Sequence, residues 1–117
     1  MTPEKPIFVL LVEDEPSIRE ISAMILEDAG MTVHTVSNGD DAEKWLETGK
    51  ADVLFTDVRM PGKISGQELA TRHAHMHVLV TSGEAKEQHD WLQASMGYLA
   101  KPYDRKSLLA AVKGIAA

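Results

Sequence analysis

The chain has 117 residues, no cysteine and a formal net charge of −6 at pH 7. This length fits a single domain, which we expect over residues 1–117 with a flexible N-terminus over residues 1–6. The negative charge argues against a nucleic-acid partner, the lack of cysteine excludes disulfides and thiolate metal sites, and the absence of a long apolar run argues against membrane insertion.

Five short apolar runs predict β-strands. The first and the fourth are nearly continuous and rich in Val and Leu, which is typical of strands buried on both faces of a parallel sheet. The predicted strands span residues 7–12, 32–36, 53–56, 77–81 and 97–100.

Helical patterns alternate with these strands. Gly30 and Gly49 are suited to end the first two helices, and Asp104 is suited to cap the last. The fourth pattern is the least convincing, because residues 84–90 are polar throughout, and we expect this helix to be short or mobile. The predicted helices span residues 17–29, 40–48, 65 to about 74, 86 to about 95, and 104–115.

This alternation predicts a three-layer, doubly wound α/β domain with a five-stranded parallel sheet. Ligands of such sheets bind at the carboxyl ends of the strands. Polar residues follow three of the apolar runs: Glu13 and Asp14 the first, Asp57 the third, and Lys101 the last. We therefore expect these side chains to converge on one edge of the sheet.

The residue types at this edge predict their chemistry. Two carboxylates about 4 Å apart repel by about 4 kcal/mol at an effective dielectric constant near 20. Glu13, Asp14 and Asp57 together therefore call for a cation, and their oxygen ligands suit Mg²⁺ better than zinc or copper. With Lys101 beside them, the pattern predicts a site for a divalent cation and a phosphoryl group.

Four motifs make the chain resemble the receiver domain of two-component response regulators, of the stand-alone, single-domain type. Each motif is weak alone, but four in the family's order, each after an apolar strand, are a specific signal that covers nearly the whole chain. The resemblance implies the flavodoxin-like (βα)5 fold. The motifs are Val12-Glu13-Asp14-Glu15, Thr56-Asp57-Val58-Arg59-Met60-Pro61-Gly62, Thr81-Ser82-Gly83 and Tyr98-Leu99-Ala100-Lys101-Pro102.

The resemblance implies that the chain is a phosphoacceptor in a phosphorelay. Asp57 would take a phosphoryl group in a Mg²⁺-dependent reaction. Asp14, Asp57 and the backbone carbonyl of Arg59 would bind the metal directly, and Glu13 would act mainly through a water.

The resemblance also implies how the phosphoryl group is held and sensed. Lys101 would pair with one phosphoryl oxygen and the Thr81 hydroxyl with another. Tyr98 would then turn into the space that Thr81 leaves, and the surface of the fourth helix, fifth strand and fifth helix would change its affinity for protein partners. The Lys101–Pro102 bond is expected to be cis.

The implied partners are a sensor histidine kinase or a histidine phosphotransfer protein, and a downstream protein target, in the bacterial cytoplasm. The chain is not expected to be an enzyme, beyond assisting its own phosphorylation and dephosphorylation. The stretch between Asp57 and Thr81 is shorter than is usual for the family, so the third helix or its exit loop is expected to be trimmed.

Three other functions are weighed against this one. An aspartate-nucleophile phosphatase or phosphotransferase of the haloacid-dehalogenase kind needs a second aspartate where Arg59 stands. A flavin-binding protein of similar fold is disfavoured because Glu13 and Asp14 would repel its phosphate. A pseudo-receiver that acts only in docking is disfavoured by the intact acids together with Thr81 and Lys101.

Some residues have simpler interpretations. Glu15 is expected only to cap the first helix, and Tyr98 fits an ordinary core aromatic about as well as a switch residue. The alternating His73, His75 and His77 could bind a transition metal, but a polar loop before the fourth strand is favoured.

Overall fold

The computed structural model describes residues 5–117, and the predicted flexible N-terminus falls mainly on residues 1–4, outside the described residues. Within the described part, no helix has both the length and the apolar character of a membrane span. The strands are β1 (Phe8–Val12), β2 (Thr32–Val36), β3 (Val53–Asp57), β4 (His77–Ser82) and β5 (Gly97–Ala100). The helices are α1 (Pro16–Asp28), α2 (Gly39–Leu46), α3 (Gly66–Arg72) and α4 (Arg105–Ala116).

The five strands form one parallel sheet in the order β2-β1-β3-β4-β5. The three inner strands are buried along almost their whole length, which explains their nearly continuous apolar sequences. The strand order reverses between β1 and β3, so a crevice opens at their carboxyl ends. The predicted doubly wound parallel fold is confirmed.

Two apolar layers fix the inner strands from both sides. Successive side chains of a strand point to opposite faces of the sheet. Leu11 and Phe55 accordingly pack in the layer covered by α1 and α4, whereas Leu54 packs in the layer covered by α2 and α3. Strands held in this way keep their register, because a slip by one residue would turn every buried side chain to the other face.

The helices begin at polar caps, as the sequence predicts. The Glu15 carboxylate accepts a hydrogen bond from the Ser17 N–H at the start of α1, and Asp104 accepts one from the Ser107 N–H at the start of α4. After α1, Gly30 has a φ of 91°, in the left-handed region that glycine adopts without a Cβ clash.

The prediction of a helix from residue 86 to about 95 is wrong. The structure has only a 3₁₀ turn there, Lys86–Gln88, followed by turns and irregular backbone up to β5. Residues 84–90 offer no apolar stripe that could pack a helix onto the sheet, and most helical stability comes from such packing. Before β4, α3 is the shortest α-helix of the described residues; it ends at Arg72, and a short turn leads to His77.

Candidate functional site

Asp57 is the last residue of β3, and every residue of this strand is buried. It is 7% exposed, and it stands in register with Thr81 of β4. A carboxylate at this depth has lost most of its contact with water, which is costly unless other groups compensate. The structure therefore places Asp57 at the carboxyl edge of the sheet, where a partner charge is needed.

That partner is Lys101, which follows β5 and precedes Pro102 through a cis peptide bond, as expected. Its Nζ lies 2.8 Å from Oδ2 of Asp57 and 2.7 Å from Oε1 of Glu13. Burial alone would lower the pKa of Lys101, but the two carboxylates outweigh burial and hold this pKa above its ordinary value. The ammonium group therefore stays charged between the two acids.

Glu13 follows β1 directly and is almost fully buried. Its Oε2 accepts a hydrogen bond of 3.1 Å from the Glu15 N–H, whereas Oε1 accepts no well-directed hydrogen bond from the described residues although Lys101 is close. Burial raises the pKa of Glu13, the charge of Asp57 adds to this, and Lys101 and the Glu15 N–H oppose it. Additional positive charge near Glu13 would thus stabilise its ionised form.

Glu13, Asp14 and Asp57 form an acidic cluster in which one carboxylate oxygen of each lies within 4.8 Å of the others. Among residues 5–117 it is the one group of three potential metal ligands. The combined negative charge of three carboxylates exceeds the single positive charge of Lys101. Asp14 is exposed, so the cluster is open to solvent. Because all the ligands are oxygens, the residues fit a hard divalent cation.

Arg59 lies just past β3, and its side chain turns to another partner. The guanidinium makes two hydrogen bonds of 3.0 Å to the Glu84 carboxylate. This contact raises the pKa of Arg59 and lowers that of Glu84. That the backbone carbonyl of Arg59 is a metal ligand is implied by the resemblance, and it stays a prediction.

Thr81 and Tyr98, the predicted switch residues, both bind backbone carbonyls. The buried Thr81 hydroxyl donates to the Leu99 carbonyl at 2.7 Å, so it is engaged with β5 and not with Asp57. The Tyr98 hydroxyl donates to the Glu84 carbonyl, and its ring is only partly buried. Both side chains would have to break these bonds to act as the resemblance implies.

Gly66 brings the start of α3 against the backbone of Asp57. The Gly66 N–H donates to the Val58 carbonyl at 2.9 Å. A Cβ on Gly66 would lie 1.7 Å from the carbonyl oxygen of Asp57, which no real contact allows. Only glycine fits this position without moving the backbone beside the acidic cluster.

His89 is a residue near this edge that sequence reasoning missed. It is the one buried residue between Gly83 and Ser95, and its Nε2 lies 3.2 Å from the Ser82 hydroxyl. The sequence holds no local signal for this, because a histidine in a polar run is expected to face solvent.

The alternating histidines before β4 do not gather into a metal site within the described residues. His73 contacts the Glu43 carboxylate of α2, and His75 and His77 are exposed. The favoured interpretation, a polar connection between α3 and β4, is confirmed.

Comparisons with known proteins identify relatives over nearly the whole chain. A model of the response regulator receiver domain matches residues 9–113. The chain is 35% identical over 117 aligned residues to the transcriptional regulatory protein FixJ of Azorhizobium caulinodans, covering 90% of this chain and 53% of FixJ. It is 34% identical over 113 residues to the sensor kinase CckA of Brucella abortus, covering 90% of this chain but only 12% of CckA.

Solved structures show the same fold. The chemotaxis response regulator CheY4 of Vibrio cholerae superimposes with a TM-score of 0.83 and 26% identity, over 95% of this chain and 99% of that chain. The response regulator TrrA of Thermotoga maritima, solved in complex with Mg²⁺-BeF, has a TM-score of 0.80 and 28% identity, over 93% and 98% of the two chains.

Proposed function

Because the chain belongs to the response regulator receiver domain family, we propose that Asp57 is the residue that accepts a phosphoryl group. As a receiver domain, the chain is a phosphoacceptor in two-component signalling. The observation that supports Asp57 is the Lys101 ammonium 2.8 Å from its Oδ2, at an edge shared with the carboxylates of Glu13 and Asp14. The proposed nucleophile, a fixed cation and candidate ligands for a divalent metal thus lie together.

In the proposed reaction, a carboxylate oxygen of Asp57 attacks the phosphorus of a phosphohistidine on the donor protein. The new O–P bond makes an acyl phosphate, and the electron pair of the breaking P–N bond returns to the donor imidazole. Lys101 offsets the charge of an incoming phosphoryl oxygen as a compact point charge. Lys101 already contacts Asp57, so a small shift carries it to the phosphoryl group.

We assign the metal as Mg²⁺. Asp14, Asp57 and the backbone carbonyl of Arg59 would hold it, with Glu13 acting through a water. A bound Mg²⁺ supplies positive charge that the carboxylates and the phosphoryl oxygens share. Support comes from the oxygen ligands of the acidic cluster and from the Mg²⁺-BeF complex of TrrA.

We assign the switch to Thr81 and Tyr98. The Thr81 hydroxyl must leave the Leu99 carbonyl to reach a phosphoryl oxygen, and Tyr98 must release the Glu84 carbonyl to turn inward. The output surface then consists of β5, α4 and the irregular segment before β5, because the helix predicted in that segment is not formed.

The proposed phosphoryl donor is a sensor histidine kinase or a histidine phosphotransfer protein, and the proposed reader is a downstream protein target in the cytoplasm. Among the relatives, CckA is a sensor kinase and FixJ a transcriptional regulator. The chain spans only part of each, so their whole activities are not carried over. We assign this chain no catalytic turnover beyond its own phosphorylation and dephosphorylation.

The test is incubation with Mg²⁺ and acetyl phosphate, followed by intact-mass measurement. The chain should gain one phosphoryl group, and Asp57→Asn should gain none. The matched control is Asp52→Asn, at the opposite end of β3, which should behave like the wild type; its carboxylate only accepts a hydrogen bond from the Phe8 N–H. Uptake that survives in Asp57→Asn, or that needs no divalent metal, would contradict the proposal. Steady turnover of phosphate esters would favour the phosphatase instead.

A further inference from the structure

The segment of residues 83–96, between β4 and β5, has little regular structure and two buried side chains, His89 and, directly before β5, Met96. Its internal backbone hydrogen bonds are short-range, such as Gln88 N–H to the Ala85 carbonyl and His89 N–H to the Lys86 carbonyl, both 3.0 Å. His89 is 6% exposed, while its neighbours Gln88 and Asp90 are exposed. Met96 fixes the end of the segment in the apolar layer, with Trp91 and Leu92 packed against that layer, so His89 is the buried polar residue that links the rest of the segment to the sheet.

The first contact of His89 is with the residue that follows Thr81. The Ser82 hydroxyl oxygen lies 3.2 Å from Nε2 of His89 and accepts the Glu84 N–H at 3.0 Å. The Ser82 carbonyl accepts the Lys101 N–H at 2.8 Å. One serine thus joins the segment to the two residues that we assign to phosphoryl binding, since it is bonded to Thr81 through the chain and to Lys101 through the sheet.

The second set of contacts is aromatic. The His89 ring lies 5.9 Å from the ring of Tyr98, and it meets Trp91 edge-on at the same distance, with an interplanar angle of 68°. The Tyr98 hydroxyl donates to the carbonyl of Glu84, whose N–H is bound by Ser82. His89 therefore contacts both the proposed switch residue, Tyr98, and Trp91 of the segment.

We propose that His89 is a positioning residue through which the state of Asp57 reaches the segment of residues 84–91. The inference rests on the proposed function. When the Thr81 hydroxyl leaves the Leu99 carbonyl for a phosphoryl oxygen, the end of β4 loses a contact with β5, and Ser82, the last residue of β4, shifts. The contact between Ser82 and His89 carries that movement into the segment, and the surroundings of Trp91 change.

A hydrogen-bonding group at position 89 is needed for this role. An apolar side chain at position 89 could pack against Tyr98 and Trp91, but it could not hydrogen-bond the Ser82 hydroxyl. Glutamine keeps a hydrogen-bonding group at the end of its side chain, whereas leucine keeps only the bulk. The pair His89→Gln and His89→Leu therefore separates hydrogen bonding from packing.

The experiment uses the fluorescence of Trp91. The chain has two tryptophans, and Trp45 lies on α2 against Phe8 and His34, so Trp45→Phe leaves Trp91 as the one reporter. Emission is recorded before and after addition of Mg²⁺ and acetyl phosphate, and intact mass measures phosphoryl uptake in the same sample. The matched control is His77→Leu, the same change at the exposed first residue of β4.

The inference predicts a change in Trp91 emission on phosphorylation that His77→Leu and His89→Gln retain and His89→Leu largely loses, with uptake unchanged in all three. Two results would overturn the inference and leave the proposed function standing. One is normal uptake in His89→Leu with the same emission change as the parent, and the other is normal uptake in the parent with no emission change. Absence of uptake in the parent would overturn both. If circular dichroism shows that His89→Leu does not fold, Ser82→Ala removes the same contact from the other side, and the same loss of the emission change is expected.

Discussion

The acidic edge of the sheet and the segment of residues 83–96 are neighbours, yet different forces hold them. Asp57 stands at the end of a strand whose every residue is buried, so its place is set by the register of the apolar core. Between Gly83 and Ser95 the segment has one buried residue, His89, and a single 3₁₀ turn, and only its end, at Met96, is buried in the apolar core. The edge to which we assign the chemistry is therefore rigid, while the segment beside it has few backbone hydrogen bonds, and a change at the edge can alter its polar contacts.

Amide hydrogen exchange should show the largest difference between the two regions. Amides of β3 and β4 exchange only when the domain unfolds, whereas residues 84–95 open locally because few backbone hydrogen bonds close them. With a global stability of at least about 5 kcal/mol, strand amides should exchange about a thousandfold more slowly. The amides of α4 are the internal control, since this helix is also at the surface but is packed on the sheet. Uniformly slow exchange over residues 86–95 would contradict the comparison.

The second prediction removes the fixed cation from the rigid edge. In Lys101→Met, phosphoryl uptake from acetyl phosphate should slow by about a hundredfold at saturating Mg²⁺, the usual loss when one preorganised group that stabilises transition-state charge is removed. Quenched time courses analysed by intact mass measure the rate. Lys106→Met is the control, because Lys106 is exposed on α4. Equal rates for the two variants would mean that the contact of Lys101 with Asp57 is only structural.

The difference between the regions also explains what could be predicted from the sequence. Apolar runs located all five strands to within one residue at every end, and the acids and the lysine that follow them share an edge because parallel strands end together. The burial of His89 could not be predicted, because no periodic pattern accompanies it. The hydrogen bond from the Thr81 hydroxyl to the Leu99 carbonyl depends on the rotamer of Thr81 and on the register of β4 against β5. Neither can be predicted from the local sequence.

The third prediction compares one glycine from each region. A Cβ on Gly66 would strike the Asp57 carbonyl, whereas nothing lies within 4 Å of a Cβ on Gly83. Gly66→Ala should lower the free energy of unfolding by about 1–3 kcal/mol, the usual cost of overpacking, because α3 must move away from β3. Gly83→Ala should stay within about 0.5 kcal/mol of the wild type, as exposed substitutions usually do. Urea unfolding of both variants measures this. An equal loss of unfolding free energy in the two variants would show that the backbone around Gly66 accommodates a Cβ as easily as the backbone around Gly83.

The smallest effect concerns a third region, the ion pairs between α2 and α3. It is polar, like the segment of residues 83–96, but its charged side chains pair with one another. The Glu43 carboxylate contacts His73, and its Oε2 lies 2.9 Å from Nη1 of Arg72. Burial alone would raise the pKa of Glu43, but His73 and Arg72 together hold it below its ordinary value of 4.5. A carboxyl group whose pKa is lower in the folded state stabilises the fold above its unfolded pKa, and this contribution is lost as the pH falls through the folded value.

The free energy of unfolding of the wild type should therefore fall more steeply below pH 4.5 than that of Glu43→Gln, while near neutral pH the wild type should be the more stable. Urea unfolding at a series of pH values measures both curves. Glu47→Gln is the matched control, because Glu47 directly follows the same helix and is exposed, and its curve should follow the wild type. If Glu43→Gln and Glu47→Gln show the same pH dependence, the contacts of Glu43 do not stabilise the fold.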